Sequence, residues 1–97
     1  MLPTVVQAQA MENFIVRAYC ADGKIRDVDI KPLINGIPMF APLADPKTFA
    51  ETLTVMHGDI AWDIEGNRDE SKCLDIDPEI VANAPIVKRY IADPANG

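Results

Sequence analysis

Asn13-Phe14-Ile15-Val16-Arg17-Ala18-Tyr19-Cys20-Ala21-Asp22-Gly23-Lys24-Ile25-Arg26-Asp27-Val28-Asp29-Ile30 is the stretch from which the fold is read. From Asn13 to Cys20 the chain alternates, with Phe14, Val16, Ala18 and Cys20 on one face and Ile15, Arg17 and Tyr19 on the other. Strict alternation is the signature of a half-buried strand. Asp22-Gly23 follows, a dipeptide suited to the positive φ pair of a type I′ turn. The return strand, Lys24 to Ile30, puts Arg26, Val28 and Ile30 on one face. Ile25 interrupts that alternation, which predicts a bulge or an apolar side chain on the second face. A further strand is expected over Thr4 to Ala10, ahead of the hairpin.

Outward from this hairpin, Pro32, Pro38 and Pro42 exclude a long helix or a central strand, and Asn35-Gly36 marks a turn among them. Asp45-Pro46 predicts a short helix, because aspartate caps and proline suits the first helical position. Phe49 is its expected anchor. A second hairpin then runs through Leu53 and Val55, turns at His57-Gly58, and returns through Ile60, Trp62 and Ile64. Trp62, the one tryptophan, is expected to plug the core. Glu65 to Lys72 has no apolar residue and reads as an exposed loop. Leu74 and Ile76 form a brief extended segment. Asp77-Pro78-Glu79 repeats the capping pattern and starts a helix over Ile80, Val81 and Ala84. Pro85 ends it and begins a second short helix, with Ile86, Val87, Tyr90 and Ile91 on one stripe and Lys88 and Arg89 outside. Asp93 to Gly97 reads as a frayed tail.

The expected class is α+β: a small antiparallel sheet of two or more β-hairpins with short helices packed on one face. At 97 residues it is a single domain, 1–97, with a helical extension over 85–97. A chain of this size buries roughly 60–68% of its unfolded surface, enough for a core without disulfides or metals.

The charge is concentrated. Asp59, Asp63, Glu65, Asp69, Glu70, Asp75, Asp77 and Glu79 face only Arg68 and Lys72, so this segment alone carries the whole net charge of −6. Nucleic-acid binders need clustered Lys and Arg to displace counterions, so direct nucleic-acid binding is not expected. A basic protein partner or a divalent cation fits the segment, with Asp63, Glu65, Asp69 and Glu70 as the expected contacts of a partner. No run reaches the ~18 apolar residues of a membrane span, and Met1 to Thr4 has no signal-peptide pattern. The expected compartment is the cytoplasm, with Cys20 and Cys73 reduced.

The ordered series Asp22-Gly23, Val28-Asp29-Ile30, Pro32-Leu33, Leu43-Ala44-Asp45-Pro46 with Phe49, Ile60-Ala61-Trp62 and Leu74-Asp75-Ile76-Asp77-Pro78 resembles domain-of-unknown-function family 2442, a group of short bacterial α+β proteins. The resemblance covers about Val5 to Ala84. It departs from the family at Asp63 to Cys73, a longer acidic insertion, and at the tail from Pro85 to Gly97. It implies a bacterial protein without an established reaction. Some members resemble regulators fused to a helix-turn-helix and others neighbour small toxin-like proteins. No helix-turn-helix fits beyond Ala84, so the DNA-binding implication does not carry over.

Site chemistry is sparse. Asp63, Glu65, Asn67 and Asp69 space oxygen ligands as an EF-hand loop does, but Arg68 and Leu74 stand where that loop needs Gly and Glu. Cys20, His57 and Cys73 give at most three zinc ligands without motif spacing. No metal or cofactor is expected. Asp75 and Asp77 share a strand face but show no cue for the raised pKa of a general acid. Ser71 and His57 lack a third triad member. Two readings result: a non-catalytic interaction module, antitoxin-like or regulatory, or a small ligand-binding or enzymatic domain with a pocket at Tyr19, Trp62, Asp75 and Asp77. A transcriptional regulator is a third reading, for which the chain offers no basic cluster. A homodimer is also expected, through sheet edges or the Ile86–Ile91 stripe.

Overall fold

The computed structural model describes residues 2–66, 68–69 and 72–89. Strands β1 (Val5–Met11), β2 (Ile15–Cys20) and β3 (Lys24–Asp29) lead into helices α1 (Lys31–Gly36) and α2 (Pro46–Glu51). Strands β4 (Leu53–Met56), β5 (Asp59–Trp62) and β6 (Leu74–Asp75) follow, then helix α3 (Pro78–Ala82) and strand β7 (Ile86–Arg89). The class is α+β, with strands divided between two antiparallel sheets, β1-β2-β3-β7 and β4-β5-β6.

The β2–β3 hairpin forms in the expected place, with Arg17 opposite Asp27 and Val16 opposite Val28. Its turn is not type I′. Gly23 alone takes a positive φ, 87°, and its N–H donates to the Cys20 carbonyl at 3.0 Å. The Asp22 carboxylate accepts from the Lys24 N–H at 3.0 Å. The loop thus has three residues, Ala21 to Gly23, with glycine at the left-handed position. The paired positive φ occurs instead at His57 (53°) and Gly58 (78°), between β4 and β5.

Val16, Ala18, Cys20, Val28 and Ile30 point into the core. Ile25 is also buried, on the opposite face, where Arg17, Tyr19, Val87 and Lys88 surround it. A bulge accompanies it, on the neighbouring strand. Arg26 faces Ile86 and Ile25 faces Lys88, leaving Val87 as the extra residue of β7.

The prolines act as expected. They limit the middle of the chain to α1, a 3-10 segment Pro38–Ala44, and α2. Asp45 caps α2 by accepting from the Lys47 N–H at 3.0 Å, and Asp77 caps α3 by accepting from the Glu79 N–H at 2.9 Å. Phe49 sits in the core with its ring 5.3 Å from Phe14 and 5.9 Å from Trp62. Trp62 is fully buried, and its indole N–H donates to the Phe49 carbonyl at 3.1 Å. The two sheets are joined where the Val5 N–H donates to the Gly58 carbonyl at 2.8 Å. One cluster, including Val16, Ile30, Leu43, Ile60, Trp62 and Val81, fills the space among sheets and helices.

The helix expected after Pro85 is not there. Ile86–Arg89 is strand β7, antiparallel to β3. β3 would otherwise leave its outer backbone groups unpaired, and two β-branched residues suit a pleated strand better than a short helix. Tyr90, Ile91 and the expected tail lie outside the described residues. No described helix is long and apolar enough to cross a membrane.

Candidate functional site

The acidic segment is organised by sheet β4-β5-β6. Pairing of Ala61 with Asp75, and donation from the Ile76 N–H to the Ile60 carbonyl at 3.3 Å, set the end of β6 beside the start of β5. Asp59 therefore lies near Asp75 and Asp77. Its carboxyl is held above the ordinary carboxylate range, first by partial burial, then by the charge of Asp75, with Asp77 adding to it and His57 opposing. Asp59 thus feels the charges of Asp75 and Asp77 across the strand ends, and Glu79 follows them on α3.

Other acids are occupied locally. Asp63 folds back onto its own loop, accepting from the Gly66 N–H at 3.1 Å and the Arg68 N–H at 2.9 Å. That loop resembles a capped turn more than a cation cradle. Glu65 lies 3.9 Å from Lys72. The Asp69 carbonyl accepts from the Lys72 N–H at 2.9 Å and the Cys73 thiol at 3.3 Å. Glu70, Asn67 and Ser71 lie outside the described residues.

The residues expected to share a pocket do not meet in an open cleft. Trp62 has no exposed surface. Alternation along β2 puts Tyr19 on the face away from the core, where it lines a shallow groove of about 280 Å³ with Arg17, Ile25, Val87 and Lys88. Asp75 is exposed, and Asp77 caps α3 through Oδ1. Cys20 and Cys73 form no disulfide. Burial pushes the Cys20 thiol up, with Asp22 adding; partial burial and then Asp63 push up Cys73. Neither is poised as a thiolate nucleophile. Among the described residues no three His, Cys, Asp or Glu side chains are grouped to hold a metal ion.

Arg26 is the residue that sequence reasoning missed. Placed on the inward face with Val28 and Ile30, it donates through Nη1 to the Ala82 and Ala84 carbonyls, both at 3.1 Å. This ties β3 to the C-terminus of α3, where a cation also complements the helix dipole. No local pattern announces it, because the partners lie 56 and 58 residues away.

No family model, curated protein or solved structure matches this chain.

Asp59 gives a pH-dependent prediction. Its folded pKa lies above the unfolded value, so the folded state binds its proton more tightly. That contribution is fully present below the unfolded pKa and is lost as pH rises through the folded one. Asp59→Asn is therefore expected to stabilise the protein at pH 7 by roughly 0.5 kcal/mol, a solvent-screened magnitude. The advantage should vanish near pH 3. Urea denaturation of both proteins at the two pH values checks it, and an equal difference at both would contradict the assignment.

Proposed function

We propose that this protein is a small non-catalytic interaction module, antitoxin-like or regulatory, that holds a basic partner protein at its acidic end. The observation carrying the proposal is the placement of Asp59 beside Asp75 and Asp77 by the pairing of β5 with β6, a concentration of negative charge that a cationic partner would offset. Exposed carboxylates of one sign raise the encounter rate with a basic surface, and salt screens that effect within about 8–10 Å. The proposed contacts are Asp59, Asp75, Asp77 and Glu79, beside the loop acids Asp63, Glu65, Asp69 and Glu70 expected from sequence. Asp77 caps α3 through Oδ1 alone, whereas both carboxylate oxygens of Asp63 serve its own turn and Glu65 faces Lys72. A location in a reducing bacterial cytoplasm, and kinship with family 2442, belong to the same proposal.

The test is capture from native lysate with two baits, wild type and the fourfold variant Asp59→Asn, Asp75→Asn, Asp77→Asn and Glu79→Gln. Asparagine at 77 keeps a capping side chain. The expected result is one basic protein held by wild type at low salt, released at high salt, and absent from the variant. Equal recovery by both baits would overturn the reading.

A further inference from the structure

Strand β7 ends its sheet: β3 pairs with one side, and among the described residues no strand pairs with the other. An edge strand presents outward N–H and C=O groups that can hydrogen-bond an added strand. All four residues of β7 are exposed, with Ile86 at 41% and Val87 at 46%. Lys88 and Arg89 make no ion pair among the described residues. Nearby Arg17 contrasts with them, since its guanidinium is held by Asp27 at 2.8 and 3.0 Å. Lys24, opposite Arg89, adds a third cation 3.9 Å from Asp22. The bulge at Val87 turns both Val87 and Lys88 toward the groove shared with Tyr19 and Ile25.

We propose that β7 is an augmentation edge for an extended acidic segment of a partner protein. Main-chain hydrogen bonds to β7 would supply affinity, as in other strand-addition complexes. Acidic side chains of the incoming strand would meet Lys24 and Arg89 on one face, while an apolar side chain enters the groove by Tyr19, Ile25, Val87 and Lys88 on the other. A second copy of this chain is the poorer occupant. Two β7 strands paired antiparallel about their midpoint would set Lys88 against Val87 and Arg89 against Ile86 of the other copy, bringing four cations onto one ribbon with no acidic side chain to meet them. The inference does not rest on the acidic-end reading. It concerns other residues and the opposite charge.

The test uses two acetylated, amidated hexapeptides, one alternating glutamate with valine and the other lysine with valine, titrated into the isotopically labelled protein. The expected result is saturable movement of the Ile86–Arg89 amide resonances by the glutamate peptide alone, with slowed hydrogen exchange along β7. The double variant Lys88→Glu/Arg89→Glu, altered only at exposed positions, should weaken that binding about tenfold or more and reverse the preference. Four results would overturn the proposal: no shift at β7, equal binding of both peptides, a preference the double variant leaves unchanged, or a dimer in sedimentation that buries β7 by itself.

Discussion

Trp62→Ala is expected to cost about 3–5 kcal/mol. A domain of this size has a total stability of roughly 5–15 kcal/mol, so the variant forfeits from about a fifth to nearly all of it. The magnitude follows from position. Trp62 is fully buried, pairs with Leu53 on one side and Leu74 on the other, and touches the rings of Phe40 and Phe49. Its removal opens a cavity where sheet β4-β5-β6 meets α2. Trp62→Phe separates the two contributions: it keeps a ring but leaves the Phe49 carbonyl without its donor, a cost of about 1–3 kcal/mol beyond the lost volume. Denaturant unfolding of the two variants checks the order. Equal losses, or a Trp62→Ala protein as stable as wild type, would contradict the described core.

Gly58→Ala is expected to cost about 2 kcal/mol although it adds only a methyl group. Two causes combine. Gly58 has φ of 78°, a left-handed conformation that alanine adopts with strain, and an added Cβ would lie 2.9 Å from Thr4 Cγ2. The Gly58 carbonyl also accepts from Val5, so a shift of this turn loosens the link between the sheets. Thr4→Ser removes the crowding methyl. The double variant should therefore recover part of the loss, leaving the conformational part behind. Thermal unfolding of the single and double variants measures both parts. Full recovery in the double variant would show that the conformational strain is absent.

The turn at Gly58 also shows where sequence reasoning succeeded and where it could not. Both hairpins were legible, because alternation at Phe14–Cys20 and Ile60–Ile64 is a local property. Which hairpin takes the I′ turn was not. Asp22-Gly23 has the stronger local preference, but pairing of Tyr19 with Ile25 leaves three residues between the strands. The caps at Asp45 and Asp77 were legible for the same local reason. β7 was misread because Ile86, Val87, Tyr90 and Ile91 satisfy a helical stripe, and the vacant edge of β3 that settles the matter is some sixty residues away. The β-branched pair Ile86-Val87 was the signal available. Charge was legible as a total but not as a site. Which carboxylates are free depends on Asp63 turning back to Gly66 and Arg68, and on β6 carrying Asp75 up to Asp59.

The most direct test of the acidic end as a recruiting surface is zero-length carbodiimide cross-linking in native lysate, followed by mass spectrometric mapping. The reagent joins a carboxylate to an amine in direct contact. The account predicts links from Asp59, Asp75, Asp77 or Glu79 to lysines of one basic protein, lost when salt is raised. Intramolecular links alone, such as Glu65 to Lys72, would contradict it, as would partner links that avoid those four residues.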